Sequence, residues 1–277
     1  MNLIGVFGSE NDRRALVRLS SGRVVRLRVG DRLEGGQVAA IAGDQVDVET
    51  MYALNALMRD LGSTNMDCRQ DGAKLDNAVR ASYIFNSTIA GIEEADALLI
   101  VGTNPRWEAA VLNARIRKQW LTGGLKVGLI GEQLNLTYDY DYLGAGPDSL
   151  KELAAGKGDF AKVLKAAKRP MIILGAGAVA RDDGAQVLAA AKKIADDFGM
   201  VSDDWNGFNL LQRSASRVGG LDIGFLPGED GRDVAGILDG AAKGEVKVVY
   251  LLAADEVDMT LVAIGEPEVP GEREGAR

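Results

Sequence analysis

Residues 93–120 read EEADALLIVGTNPRWEAAVLNARIRKQW and leave little freedom of architecture. An apolar run over 97–101 reads as a strand and ends at Gly102. Thr103 or Asn104 can cap a helix, and Pro105 suits its first turn, where no N–H is needed. Leu112, Ile116 and Trp120 then recur four apart, which predicts one buried helix face. Strand, polar tip and helix form the repeating unit of a parallel α/β sheet. Ligands of such sheets bind at those tips.

The same grammar recurs along the chain. Residues 38–42 read as a short strand ending at Gly43-Asp44. Asp47 can cap a helix running to about Leu61, with Val48, Met51, Tyr52, Leu54, Met58 and Leu61 on a broad apolar face and Gly62 as its stop. Residues 63–76 are polar and turn-rich, and 77–85 read as helical. Residues 125–131 and 170–174 are further strands, and a helix is predicted from Asp183 to Phe198. Helices at 149–155 and 160–168 are separated by Gly156-Lys157-Gly158. A helix over 234–242 precedes a strand over 246–253. Tyr138, Tyr140 and Tyr142 alternate with Asp139 and Asp141, so the three rings are expected to pack on one side of an extended segment beside the sheet.

Residues 1–36 differ in style. Two short segments, 15–19 and 23–29, flank Ser20-Ser21-Gly22, which reads as a hairpin turn. Gly30-Asp31 and Gly35-Gly36 make two more turns. Arg26 and Arg28 alternate with Val25, Leu27 and Val29, which predicts a small antiparallel β module with a solvated Arg face. The last residues, 265–277, are rich in Pro, Gly and Glu and read as a disordered tail.

Composition limits the chemistry such a chain can perform. The 277 residues include no histidine and one cysteine, Cys68. That excludes an internal disulfide, a cysteine zinc site and a self-held iron–sulfur cluster. It also removes the commonest general acid/base and the usual nucleophile triads. A formal charge of −8 with no Lys/Arg cluster argues against a nucleic-acid partner. No apolar run of about 18 residues suggests direct membrane insertion. The N-terminus lacks the order of a signal peptide, so a cytoplasmic location is expected.

Two tips are candidate cofactor sites. Gly102, Thr103, Asn104 and Arg106 lie where a strand end meets a helix N-terminus, a place suited to phosphate. Gly175 and Gly177 follow a strand, with Ala180 completing an approximate dinucleotide pattern. The helix expected only from Asp183 is too late for those glycines to open it. Close backbone packing is the plainer role for them. Glu93, Glu94 and Asp96 read as a solvated face rather than a metal site, and Cys68 as an inert buried thiol.

The stretches SYIFNSTIAGIEEADALLIVGTNPRWEAAVLNARIRKQWL, KVGLIG, LTYDYDYLG, KRPMIILGAGAVARDDGAQVLAA and VVYLLAADEVD resemble the large iron–sulfur subunit of respiratory complex I, the NADH:quinone oxidoreductase. The resemblance covers residues 37–259. It implies an α/β fold: an incomplete parallel-sheet, molybdopterin-oxidoreductase-like domain that holds no molybdenum and serves the peripheral arm structurally. It implies partners among the other peripheral-arm subunits, at the cytoplasmic face of the inner membrane. The parent's iron–sulfur clusters are held by Cys and His residues that precede this region and are not in this chain. The tips at Gly102–Arg106 and Gly175–Gly177 then become an inherited, vestigial cradle. Residues 1–43 resemble the β domain of pilus-assembly proteins of the PilP type, an interaction module. The expected divisions are 1–36, 37–259 and a tail over 260–277, joined as in a fused or truncated product prone to oligomerise. Two other functions stay open: a nucleotide- or molybdopterin-binding oxidoreductase domain, and a pilus-type assembly module.

Overall fold

A computed structural model describes residues 2–9, 12–18, 24–28, 37–254 and 257. The turns expected at 20–22, 30–31 and 35–36, and the tail over 260–277, lie outside the described residues. The first three strands are β1 (Asn2–Ser9), β2 (Asp12–Arg18) and β3 (Val24–Arg28), an antiparallel sheet in that order. β2 and β3 correspond to the two predicted segments. β1 carries no signal of its own because its apolar residues come as adjacent pairs, Leu3-Ile4 and Val6-Phe7, rather than alternating.

Then come β4 (Gln37–Ala42), α1 (Val48–Asp60) and a two-residue β5 (Met66–Asp67). Asp47 caps α1 as expected, its carboxylate accepting the Thr50 N–H at 2.7 Å. The helix stops at Gly62, which takes φ +68°, a left-handed conformation open to glycine. Met51, Leu54, Asn55 and Met58 are buried, whereas Val48 and Tyr52, expected inside, are exposed.

The middle of the chain runs through α2 (Thr88–Gly91), β6 (Ala97–Val101), α3 (Pro105–Glu108), α4 (Ala110–Leu121), β7 (Lys126–Ile130) and β8 (Asp141–Gly144). It continues with α5 (Pro147–Ala154), α6 (Asp159–Ala166), β9 (Pro170–Gly175), α7 (Ala176–Val179), α8 (Gly184–Asp197), β10 (Phe208–Leu211) and α9 (Ala215–Asp222). Last come α10 (Val234–Ala242) and β11 (Val246–Leu252).

The described residues group into two compact units. One joins the start and end of the chain, and the other is Asp71–Gly224. In the first, a parallel sheet runs in the order β11-β4-β5. α10 packs Val234 and Ile237 with Ala39 and Ile41 of β4. Gly43 must be glycine, because a Cβ there would overlap the Ala253 carbonyl.

In the second, five strands run parallel in the order β10-β9-β6-β7-β8. β6 sits at the centre and is buried along its whole length. On one face Leu98, Ile100, Val127, Leu129, Met171 and Ile173 form a core with Ile116 of α4. On the other, the Phe160 ring of α6 lies so close to the Gly128 backbone that a Cβ would meet it at 2.7 Å.

Several expectations change. The helix predicted over 105–120 is two helices, broken at Ala109, which takes φ −152° and ψ 64°. Neither Thr103 nor Asn104 caps it with a side chain. Glu108 reaches back instead, its carboxylate accepting the Asn104 N–H at 2.7 Å. Residues 77–85 form only a 3₁₀ turn at Arg80–Ser82. Side chains capture the backbone there: Asp76 accepts the Ala78 N–H, and the Asn86 amide donates to the Ala81 and Phe208 carbonyls. A short helix, α7, follows Gly175 at once, so the helical start there is earlier than Asp183. Of the three tyrosines, Tyr138 is buried and Tyr140 half-buried, but Tyr142 is 41% exposed on β8. The strand there covers only Asp141–Gly144, so Tyr138 and Tyr140 precede it and the three do not share one strand.

Candidate functional site

The strand order sets where a ligand could bind. From β6 the chain moves to β7 and β8 on one side, then crosses back to β9 and β10 on the other. The reversal point lies between the C-terminal ends of β6 and β9, the usual ligand crevice of an open α/β sheet. Gly102 follows β6 and Gly175 ends β9, so the two candidate tips meet there.

They meet by contact. Gly102 takes φ +59°, and a Cβ on it would lie 2.7 Å from the Ala178 Cβ. A Cβ on Gly175 would lie 2.5 Å from the Gly102 carbonyl oxygen and 2.6 Å from the Thr103 Cβ. Gly175 thus serves close packing of one loop on the other. Gly177 does not, since a Cβ there would meet nothing within 4 Å.

Beside this contact is a cleft of about 330 Å³. Gly102, Gly131, Gly146, Gly177 and Ala178 line it, with Arg181 at its margin. Gly146-Pro147 opens α5 there, with no side-chain cap. Gly131, Gly146 and Arg181 are additions to the residues that the sequence marks as a site. Gly131 is legible as a strand end, and Gly146-Pro147 has the signature of a helix start, but Arg181 carries no signal.

The cations near the cleft are engaged. Arg181 binds the Asp183 carboxylate at 2.6 and 3.1 Å. That guanidinium holds the Asp183 carboxyl below the usual carboxylate range. Arg106 donates to the Asn135 carbonyl at 3.0 Å. Thr103 is 6% exposed, and its Oγ1 and the Asn104 Oδ1 are buried without a hydrogen-bond partner.

The acidic trio sorts as a structural cluster. Glu93 pairs with Arg115 and Lys118, and Glu94 with Arg169. Asp96 accepts the backbone N–H groups of Lys168 and Arg169 at 2.7 and 2.9 Å. Among the described residues no group of His, Cys, Asp and Glu is arranged to hold a metal ion. Cys68 is 1% exposed, in the other compact unit. No helix of the described residues is long and apolar enough to cross a membrane.

These residues do not fit an iron–sulfur cluster, which takes cysteine thiolates in a set. They fit a molybdopterin dinucleotide poorly. The two loops close on each other, and the nearby guanidinium groups already have acceptors.

Residues 30–263 match the family model described as molybdopterin oxidoreductase. The chain is 45% identical over 221 residues to the G subunit of NADH-quinone oxidoreductase from Rickettsia felis, covering 80% of this chain and 31% of that protein. It is 48% identical over 189 residues to the corresponding G subunit from Rickettsia conorii, covering 68% of this chain and 28% of that protein. It is 41% identical over 223 residues to the mitochondrial NADH dehydrogenase [ubiquinone] iron-sulfur protein 1 of Solanum tuberosum, covering 80% of this chain and 29% of that protein. The chain therefore spans about three-tenths of the length of these relatives.

Proposed function

The chain belongs to the molybdopterin oxidoreductase family, and from that premise we propose that it is a structural, cluster-free portion of the iron–sulfur subunit of NADH:quinone oxidoreductase. On this reading the parent's electron transfer between NADH and quinone passes through clusters held elsewhere. The partners are other peripheral-arm subunits, and the chain lies at the cytoplasmic face of the inner membrane through that complex. Its working divisions are a β module over 1–36, the family domain over 37–259 and a tail over 260–277.

The observation that carries this reading is the contact of the Gly102 loop with the Gly175 loop, which packs backbone against backbone at the sheet's switch point. Composition supports it, since one cysteine and no histidine cannot ligate a cluster. Gly102, Thr103, Asn104, Arg106, Gly175 and Gly177 are then a vestigial cradle. Anaerobic reconstitution with iron and sulfide tests the proposal. The expected product has no visible absorption and no bound iron, and stoichiometric iron would sink the reading.

One observation favours a second reading. The orphaned Thr103 Oγ1 and Asn104 Oδ1 stand at the β6 tip beside an open cleft. Buried polar atoms without partners are costly and call for an explanation. In a nucleotide- or molybdopterin-binding domain they, with Arg106, would contact phosphate. Thermal-shift titration with nucleotides and with molybdopterin guanine dinucleotide separates the readings. A saturable rise in midpoint promotes the second, and a flat response leaves the first.

A further inference from the structure

The register of the three-stranded sheet sorts its residues by face. Opposed residues, and residues two apart along a strand, share a face. Arg14 lies opposite Arg28, Leu16 opposite Arg26 and Arg18 opposite Val24. Arg14, Arg18, Arg26 and Arg28 therefore fall on one face, with Asp12 at its end. Ala15, Val17, Val25 and Leu27 fall on the other. Val24 is 44% exposed and Arg26 is exposed, so the Arg face is open along β3. Like charges directly opposed on neighbouring strands destabilise a sheet, and Arg14 and Arg28 are so placed. Such a face calls for anions laid along it.

The chain itself supplies a segment of that chemistry. Residues 265–277, outside the described residues, read GEPEVPGEREGAR and carry Glu266, Glu268, Glu272 and Glu274. Glu266 and Glu268 are two apart, as are Arg26 and Arg28, and residues two apart in extended chain repeat at about 7 Å. Pro267 and Pro270 lack an N–H, so the segment is suited to offer charge rather than ladder bonds. Reach is ample. An extended chain spans roughly 30 Å from Val257 to Glu266 and roughly 55 Å to Glu274. Both segments belong to the same compact unit.

From these we infer that the Arg face of β2 and β3 holds the chain's own acidic segment, residues 266–274. Each exposed ion pair is weak by itself. Tethering compensates, because a flexible linker holds the segment at an effective concentration on the order of millimolar. A free acidic peptide has no such advantage. The contact uses none of the strand-tip residues, so it stands apart from the function proposed above.

The test uses the full chain with Ala276→Cys carrying a nitroxide; Cys68, 1% exposed, is shielded from the label. In low salt the backbone amide signals of residues 14–18 and 24–28 should be lost, and should return when the nitroxide is reduced. They should also return in 1 M NaCl, where the screening length is about 3 Å. Replacing Glu266, Glu268, Glu272 and Glu274 together by Gln should restore them without touching the folded body. Arg26→Glu should restore them too, whereas Arg59→Glu, on α1, should leave the loss in place. The proposal is overturned if no signal is lost, or if the loss survives salt or the Gln segment. It is also overturned if Arg59→Glu acts as Arg26→Glu does. Loss on isotope-labelled copies mixed with spin-labelled ones would place the segment on a second copy instead. Recovery of the signals on adding phosphatidylglycerol vesicles in low salt would show that the face prefers a membrane surface, and would equally sink the inference.

Discussion

Gly175 abuts the Gly102 carbonyl so closely that a methyl group on Gly175 would stand 2.5 Å from that oxygen. The obstacle is backbone, not a side-chain end that can swing away. Gly175→Ala should therefore destabilise the protein by about 1–3 kcal/mol, the cost of overpacking a filled site. Gly177→Ala meets open space in a helical turn and should be neutral or stabilising by roughly 0.5–1 kcal/mol. Thermal melts of both variants check the contrast. Equal midpoints would mean that the two loops do not touch as described.

Asp222 joins two partners at the edge of the same unit. It accepts from the Arg80 guanidinium at 2.9 and 3.0 Å and from the Tyr83 hydroxyl at 2.7 Å. Arg80 lowers its carboxyl below the usual range, against some opposition from burial. Burial foremost, with the Asp222 bond, raises the Tyr83 phenol to about 12. The folded carboxyl value lies below the unfolded one, so the stabilisation is complete above about pH 4 and fades as pH falls through the folded value. Asp222→Ala should cost about 1–2 kcal/mol at neutral pH, because it leaves the buried Tyr83 hydroxyl without an acceptor. It should also flatten this part of the acid-unfolding curve, read by tyrosine absorbance and circular dichroism.

Asp96 fastens the entry of β9 by accepting two backbone N–H groups, from Lys168 and Arg169. Glu94, beside it, makes an exposed pair with Arg169. Asp96→Ala should cost about 1–3 kcal/mol, whereas Glu94→Ala should fall within about 1 kcal/mol of the parent. Urea unfolding of the two variants measures the difference. A larger loss for Glu94→Ala would reverse the assignment.

Cys68, 1% exposed, reports on opening of the unit that contains β4 and β11. Labelling by a thiol-specific disulfide reagent should be slow in buffer and immediate in denaturant, since reagent and thiolate must meet in solvent. Fast, stoichiometric labelling of the native protein would contradict the burial of this thiol.

Much of the fold is legible in the chain. β6, β7 and β9 announce themselves as short apolar runs closed by glycine or a polar tip, because a strand buried on both faces has no polar side to interrupt it. α1 and α8 follow from spacing and, for α1, from its Asp47 cap. β10 is not legible, because FNLL holds a polar residue: Asn209, 0% exposed, is satisfied by the Ser87 N–H and hydroxyl, a partner more than a hundred positions away. Nor is the break at Ala109, because nothing in WEAAVL distinguishes a helix end from its middle, while Glu108 in three dimensions turns back on Asn104.

The amino-acid sequence by itself determined the strand–tip–helix units, the family and the poverty of ligand chemistry, since one thiol and no imidazole can be counted without coordinates. Only the tertiary structure decided that β9 pairs with β6 and not with β8. Parallel strands are joined by long crossovers, so neighbours in the chain need not be neighbours in the sheet, and their order is set by how helices and strands bury one another. That order brings Gly175 onto Gly102, and it turns two separate candidate tips into one site beside a shared cleft.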